Sequence, residues 1–294
     1  MQIRRQSKRN LKLAISLLVY LADWARMCLR RVSGAKCDSS FVVLYYHSVL
    51  PRRRALFAGQ MDILLRYALP IGADANPSLS DGRRYVAVTF DDAFESLVDN
   101  ALPELHSRNI PCTIFAVSET LGKAANWEDI GETHGNEKIM TLDQVRKVSP
   151  TLVSFGAHTL THPVLTNLDE QAARKEIVES RARLQELMGR EISLFSFPYG
   201  AFNNHLIRLC REAGYERVFT TIPGPVWNRE FVVGRTPVEP TDSKLEFRLK
   251  LFGAYRWVGL ASSLKTKAKG LVERMKGSRR RTVVGRMIDE KRPS

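Results

Sequence analysis

Short apolar, β-branched and aromatic runs alternate along the chain with longer segments that mix apolar and polar residues. Seven such runs lie, in chain order, at residues 41–47, 85–90, 112–117, 152–158, 192–197, 217–221 and 231–235. Most of these runs lack a strict alternation of apolar and polar positions, which is typical of strands that are covered on both faces. We therefore predict seven buried strands in a parallel sheet.

Three of the intervening segments have the periodicity of amphipathic helices. They lie at residues 93–109, 168–189 and 203–216. In the second segment the apolar residues recur near helical spacing, and Gly189 is suited to end the helix. Before this helix, a polar loop is expected over residues 123–140, and the spacing of Thr141 and Gln144 predicts a capping box that starts a further helix. Strands and helices that alternate over residues 41–235 predict an α/β domain with an open or closed parallel sheet.

The net charge of +14 is concentrated at the two ends of the chain. Residues 1–36 contain nine Lys/Arg and one acidic residue, and residues 244–294 contain fifteen Lys/Arg and four acidic residues, so that residues 37–243 are acidic overall. We place the domain boundaries there: an N-terminal segment at 1–36, a catalytic domain at 37–243 and a basic helical tail at 244–294. Because a nucleic-acid enzyme carries its positive charge on the substrate face, no nucleic-acid partner is expected.

Both ends suit an anionic membrane surface better than a nucleic acid. The apolar run from Leu13 to Ala22 is about half the roughly 20 residues that span a bilayer as a helix. It fits an interfacial helix or short anchor, a cleaved signal peptide, or an ordinary packed helix. Residues 249–276 mix apolar residues with lysines and leave a similar choice between an interfacial and a packed helix. We expect a membrane-associated protein, and the side of the membrane stays open.

Polar residues follow several of the predicted strands, at the edge where parallel α/β domains hold their functional groups. In chain order these are His47, Asp91, Asp92, His158, His162, the turn at 197–200 and Arg235. One carboxylate and two imidazoles, from Asp92, His158 and His162, are a ligand set that leaves a catalytic zinc with an open position. Alternatively, Asp92 caps a helix with Glu95 three residues later, and the histidines hydrogen-bond a loop.

Three motifs, VTFDDAFES, FGAHTLTHP and FSFPYG, occur in this order in the chain. Together they resemble the signature of the polysaccharide deacetylases, the NodB-homology proteins or family 4 carbohydrate esterases, over about residues 40–240. The resemblance implies a distorted (β/α) barrel of about seven parallel strands, which the basic helical tails would flank. It also implies a hydrolase that uses a divalent metal, expected to be Zn²⁺, to remove N-acetyl groups from an amino-sugar glycan. With the membrane location expected from the tails, a lipid-linked glycan precursor is a further expected substrate.

The same resemblance assigns roles to individual residues. The first aspartate of the TFDD motif is the family's general base, here Asp91, and the second is a metal ligand, here Asp92. The two histidines of the H-x-x-x-H-P motif complete the metal site, and they are His158 and His162. In the PYG motif the backbone N–H of the tyrosine, here Tyr199, helps to hold the developing oxyanion.

Three positions depart from the common family pattern. No histidine follows His205, so the late general-acid histidine is absent. In the subgroup that resembles poly-N-acetylglucosamine deacetylases this acid comes from the first strand, which makes His47 the expected acid. The arginine that tunes the base aspartate is Ser196 here, and we expect Arg235 to replace it from the end of the last strand. The glycine that commonly follows TFDD is Ala93.

Two other functions stay open on the sequence. An O-acetyl or other acyl carbohydrate esterase would use the same metal and base. Its alcohol leaving group needs less help to leave than an amine does. A catalytically inactive glycan-binding domain of the same fold is the alternative from a different class. The intact Asp91, Asp92, His158 and His162 argue against it.

Overall fold

The structure is a computed structural model that describes residues 2–34, 39–77, 81–125, 127, 137–148, 150–224 and 230–262, with side chains from residue 6 onward. The strands in this part of the chain are β1 Ser40–Tyr46, β2 Leu69–Pro70, β3 Arg84–Phe90, β4 Cys112–Ala116, β5 Val153–Ala157, β6 Leu194–Ser196, β7 Arg217–Thr220 and β8 Val232–Pro237. Each of the seven predicted runs overlaps one of these strands, and β1, β3 and β8 extend one or two residues beyond their runs. The two-residue β2 is too short to leave a pattern in the sequence.

Seven of the described strands close into an all-parallel barrel. The order around the barrel is β1-β3-β4-β5-β6-β7-β8, and β8 pairs back onto β1. The remaining strand, β2, lies beside β3. This architecture confirms the expected distorted (β/α) barrel and decides between an open and a closed sheet.

The helices of the described residues lie mostly between the strands. They are α1 Gln2–Val32, α2 Arg54–Tyr67, α3 Ser96–Asn100, α4 Leu102–His106, α5 Leu142–Lys147, α6 Glu170–Met188, α7 Asn204–Glu212 and α8 Lys244–Leu251. The single helix predicted over 93–109 is wrong, because Pro103 lacks the N–H that would continue α3 and instead lies in the first turn of α4. The predicted end of α6 is confirmed, since Gly189 is left-handed with φ 63°.

The loop before α5 has the expected ends. Its flanks pair as isolated bridges, Ala124 with Lys138 and Phe94 with Ile139. Residues 126 and 128–136 lie outside the described residues. At its end the Thr141 side chain accepts the Gln144 N–H and the Gln144 side chain accepts the Thr141 N–H, which confirms the capping box.

Side chains on the strands divide between two buried clusters. Outward positions such as Val42, Val86 and Ile114 belong to the large cluster between barrel and helices. Alternate positions, including Val43 and Phe115, belong to a smaller cluster inside the barrel. Because both faces are covered, the strands show no polar alternation in the sequence.

The two ends of the described chain pack on each other. The Arg9 guanidinium donates to the Glu246 carboxylate at 2.6 and 2.9 Å, and the Trp257 indole N–H donates to Ser16 Oγ at 2.9 Å. Up to residue 262 the tail packs on α1, as the packed-helix alternative predicts, while residues 263–294 lie outside the described part. None of the described helices combines the length and apolar character that crossing a bilayer requires.

Candidate active site

The residues predicted for the site converge at the carboxyl end of the barrel. His47 follows β1, Asp91 and Asp92 follow β3, His158 and His162 follow β5, and Tyr199 lies in the turn after β6. The prediction that Arg235 stands at the end of its strand is wrong. The strand β8 continues to Pro237, and the Arg235 side chain is fully buried inside the barrel.

A possible metal group is formed by Asp92, His158 and His162. All three residues are buried, and their candidate ligand atoms lie within 4.8 Å of one another. The Nε2 atoms of His158 and His162 lie 3.6 and 3.3 Å from Oδ1 of Asp92. Within the described residues this Oδ1 has no hydrogen-bond partner, although buried polar atoms nearly always have one. An orphaned carboxylate oxygen beside two imidazoles fits a divalent metal such as zinc.

The His158 ring is held in the tautomer that a metal needs. Its Nδ1 lies 2.7 Å from the Ser196 carbonyl oxygen, so Nδ1 carries the proton and the Nε2 lone pair faces Asp92. Burial lowers the pKa of His158 to about 4, and the nearby Asp91 carboxylate only partly offsets this effect. The ring is therefore neutral at pH 7, as metal binding requires.

The chain between the two histidines does not turn as a helix. It bends through left-handed residues, Thr159 at φ 68° and His162 at φ 67°. The His162 N–H donates to Thr159 Oγ1 at 3.0 Å. On α6, the Glu176 carboxylate accepts the N–H groups of Leu160 and Thr161 at 2.8 and 3.1 Å. Sequence reasoning missed Glu176, because a glutamate on an exposed helix carries no signal of the loop that it holds.

The aspartate pair does not cap a helix. Asp92 and Ala93 have left-handed backbones, with φ of 72° and 56°, and α3 starts only after Glu95, whose side chain makes no capping hydrogen bond. A left-handed alanine costs roughly 1–2 kcal/mol that glycine avoids. This turn aims Asp92 at the histidines, although the preceding strand would have placed alternate residues on opposite faces.

Asp91 forms a bidentate ion pair with Arg235 inside the barrel. The Nη1 and Nη2 atoms of Arg235 donate to the two carboxylate oxygens, each at 2.7 Å. Burial raises the pKa of Asp91, but the Arg235 charge and, to a smaller degree, His158 and His47 lower it to about 2. Asp91 is therefore an ionised carboxylate at pH 7.

Ser196 connects this ion pair to the metal group. Its Oγ accepts a hydrogen bond from Arg235 Nη2 at 2.7 Å, while its carbonyl accepts the His158 Nδ1 proton. Where the family pattern has an arginine on β6, this chain has a small hydroxyl, and the guanidinium reaches Asp91 from β8 instead. The contact expected between Arg235 and Asp91 is confirmed.

His47 is placed beside the aspartates by the pairing of β1 with β3. Tyr46 is in register with Phe90, and the Asp91 N–H donates to the Tyr46 carbonyl at 2.9 Å. His47 and Asp91, which directly follow these two paired strands, therefore lie next to each other. Burial raises the pKa of Asp92, but the close approach of His162 and the nearby His47 lower it below its usual value.

Aromatic rings form the rim around His162. The ring centroids of Trp127 and Tyr199 lie 4.4 and 4.7 Å from that of His162. Tyr199 has φ 56° within the turn Pro198–Gly200, and its residue surface is 40% exposed. Sequence reasoning missed Trp127, and its signal was a tryptophan within a polar loop.

The site's motifs lie in a segment that matches a known family. The family model described as polysaccharide deacetylase matches residues 79–218. This range includes both aspartates, both histidines and Tyr199. Residues 79–218 therefore match a polysaccharide deacetylase domain. His47 and Arg235 lie outside the matched range, and the barrel closure through β1 and β8 brings them to the site.

Two relatives share part of this deacetylase domain. YxkH of Bacillus subtilis strain 168, named provisionally as a polysaccharide deacetylase, is 25% identical over 190 residues, which are 64% of this chain and 60% of the relative. The poly-β-1,6-N-acetyl-D-glucosamine N-deacetylase of Staphylococcus epidermidis is 26% identical over 147 residues, 47% of this chain and 48% of the relative. The matches thus cover about half to three fifths of the relatives' lengths.

Solved structures share the deacetylase fold. IcaB from Ammonifex degensii superposes with a TM-score of 0.56 and 26% identity, over 75% of this chain and 98% of that one. The deacetylase PplD of Streptococcus pyogenes superposes with a TM-score of 0.58 and 19% identity, over 74% of this chain and 99% of that one, and supports the fold alone.

The buried pair predicts strong coupling between Asp91 and Arg235. Arg235→Met should lower the free energy of unfolding by about 3–5 kcal/mol, because it leaves the Asp91 charge buried without its partner. Asp91→Asn should also destabilise, and the double variant should cost less than the sum of the two. Urea titration of the four proteins in a double-mutant cycle measures this coupling.

Ser196→Ala is the matched control, since it removes one hydrogen bond to the same guanidinium and should cost about 1.5–3 kcal/mol, the range typical of a hydrogen bond to a charged group. Additive losses for Arg235→Met and Asp91→Asn would contradict the ion pair.

Proposed function

We propose that the deacetylase domain is a metal-dependent hydrolase that removes N-acetyl groups from an amino-sugar glycan. The observation that carries this proposal is the buried group of Asp92, His158 and His162 beside the ionised Asp91 carboxylate. The domain's family and the name of the Staphylococcus epidermidis relative support the substrate class. An acetylated polymer and a lipid-linked precursor carry the same amide group.

The metal ligands in this proposal are Asp92, His158 and His162. One carboxylate oxygen and two imidazole nitrogens favour Zn²⁺ among the common divalent ions, and leave room for water and substrate. A divalent metal supplies a Lewis acid that polarises the acetyl carbonyl and lowers the pKa of water toward neutrality. The Ser196 carbonyl keeps the His158 lone pair directed at the group.

Asp91 is the proposed general base. Each of its oxygens accepts one N–H from Arg235, and an ionised carboxylate has further lone pairs on both oxygens. Asp91 can therefore take a proton from the attacking water without leaving its ion pair. Arg235 acts as a positioning residue, because it holds the carboxylate ionised and fixed in orientation.

Tyr199 is proposed to stabilise the negative charge that develops on the carbonyl oxygen. The turn at Pro198–Gly200 holds its backbone at φ 56° and places its ring against His162, next to the metal ligands. The proposed donor is the backbone N–H of Tyr199. A fixed N–H donor of this kind contributes roughly 3–4 kcal/mol of transition-state stabilisation. Gly200 has φ 65°, and a Cβ there would lie within 3 Å of the Thr221 side chain, so the turn requires glycine at this position.

His47 is the proposed general acid. It stands at the end of β1, beside Asp91 at the end of β3, on the rim that carries the metal ligands. An imidazole can hand a proton to the leaving amine nitrogen at neutral pH. An amine leaves poorly without this proton, whereas the alcohol of an acetyl ester depends on it less.

Removing the base should abolish most of the activity. Asp91→Asn should release acetate from N-acetylglucosamine oligomers about 10²–10⁴-fold more slowly than the wild type, since this range is typical of general-base catalysis. The measurement is acetate release by the full chain loaded with zinc. Asp62→Asn, the same change on an exposed part of α2, is the control and should leave the rate unchanged.

Failure of the wild type to release acetate from any acetylated glycan would refute the enzymatic proposal. Unchanged activity in Asp91→Asn would refute the assignment of the base while leaving the class intact.

His47→Ala should separate amide from ester cleavage. We expect its loss of rate on N-acetylglucosamine oligomers to exceed its loss on an acetyl ester by at least about tenfold, because the amine leaving group needs the proton more. His205→Ala, on the partly exposed face of α7, is the matched control and should slow neither reaction. Small and equal effects of His47→Ala on both substrates would refute the general-acid role and indicate that this histidine is structural.

A further inference from the structure

The outward face of α1 carries an apolar stripe. Its large exposed side chains are Leu11, Leu17, Leu18, Leu21, Trp24, Leu29 and Val32, of which Leu18 and Leu29 are 67% and 72% exposed. Exposed Ala14, Ala22 and Ala25 fill the spaces between them. Residues three and four apart lie on one face of a helix, so these side chains form a continuous surface along most of α1.

The opposite face of α1 is already occupied. Ser16 and Asp23 on this face accept hydrogen bonds from Trp257 and Arg256, at 2.9 and 2.7 Å. On the same side Leu13, Val19 and Tyr20 pack against the cluster of Leu249, Ala254 and Tyr255. The apolar stripe therefore cannot be the side on which α1 packs against the barrel.

These inward contacts hold α1 against the folded domain. Arg9 pairs with the Asp242 and Glu246 carboxylates at 3.3 and 2.6 Å, and both carboxylates are nearly buried. The helix α8, which carries Glu246, packs in turn on α2 and β1. The domain thus presents the outward stripe as a fixed surface.

The charge around the stripe selects the chemistry of its partner. Lys8, Lys12, Arg26 and Arg31 are exposed on α1. Asp23 is the single acidic residue among residues 1–36, and it pairs with Arg256 on the inward face. An exposed apolar surface bordered by cations fits a partner that is apolar inside and anionic at its surface.

A lipid bilayer fits this surface better than a second copy of the helix. In a two-stranded coiled coil the positions beside the central apolar seam usually carry charged residues. Here the residues beside the Leu18 and Leu21 seam are apolar, including Leu17 and Trp24, so that the apolar arc is wider than a coiled-coil seam. Tryptophan is also enriched where proteins meet the membrane interface.

We propose that the outward face of α1 lies on an anionic lipid bilayer and holds the domain at the membrane surface. The arrangement is that of an interfacial helix whose inner side is held to the domain by the hydrogen bonds and ion pairs of Arg9, Ser16 and Asp23. Residues 263–294 add eleven Lys/Arg and three acidic residues to the same chain, which increases its attraction to anionic lipid. This surface does not include the metal group, so the proposal stands or falls independently of the enzymatic one.

Vesicle co-sedimentation of the full chain tests the proposal. The wild type should sediment with vesicles of phosphatidylcholine and phosphatidylglycerol and much less with phosphatidylcholine alone. Leu18→Glu combined with Leu21→Glu should weaken binding to the anionic vesicles by about a hundredfold, because two leucines that would enter the bilayer are replaced by anions. Circular dichroism should show that the variant keeps the fold, since both side chains are exposed.

The matched control is Leu65→Glu combined with Val178→Glu. These residues are 42% and 40% exposed on α2 and α6, so the control makes the same change in charge, with a smaller loss of exposed apolar surface, away from α1. It should bind vesicles nearly as the wild type does. Equal losses in both double variants would attribute binding to net charge alone and overturn the assignment to the α1 face.

Absence of vesicle binding by the wild type would also overturn the proposal, as would equal binding to neutral and anionic vesicles. A dimer in sedimentation velocity that Leu18→Glu and Leu21→Glu dissociate, with no binding to vesicles, would assign the stripe to a second copy of the chain instead.

Discussion

The ion pair between Asp91 and Arg235 is the constraint on which the site depends. Two charges inside a barrel are costly to bury, and they are tolerated because the pair is bidentate and its remaining donors are satisfied. Thr89 and Ser196 accept from the same guanidinium at 3.2 and 2.7 Å, and the Tyr45 ring packs against it at 4.6 Å. These contacts fix the Asp91 carboxylate in one orientation inside the barrel. Everything that is proposed for catalysis takes place around that fixed oxygen pair.

Short covalent and hydrogen-bonded links connect the Asp91–Arg235 ion pair to the metal group. Asp92 is the next residue, and its left-handed backbone turns the second carboxylate toward the histidines. Ser196 contacts Arg235 with its hydroxyl and His158 with its carbonyl, so a shift of the guanidinium would disturb the ligand ring as well. Glu176 holds the loop that leads to His162 from outside the barrel. The proposed base and the proposed ligands are parts of one connected arrangement.

Local patterns in the sequence were sufficient for the seven barrel strands, because a strand buried on both faces leaves a continuous apolar run. The motifs were sufficient for both aspartates, both histidines and Tyr199. What the sequence did not contain were contacts between distant residues: the depth of Arg235 within β8, the link through Ser196 and the support from Glu176. The faces of α1 were equally hidden, since both are rich in apolar residues, and only its packing on α8 shows which one is outward. Pro103 indicates a break between α3 and α4, but the helical periodicity around it favours the prediction of a single helix.

The central claim is that Asp92, His158 and His162 bind one metal ion beside Asp91. X-ray absorption spectroscopy at the zinc edge of the zinc-loaded full chain tests it most directly. We predict a first shell of nitrogen and oxygen without sulfur, with outer-shell scattering from two imidazoles that falls to one in His162→Ala. Sulfur in the first shell, or imidazole scattering that is unchanged in His162→Ala, would contradict the account.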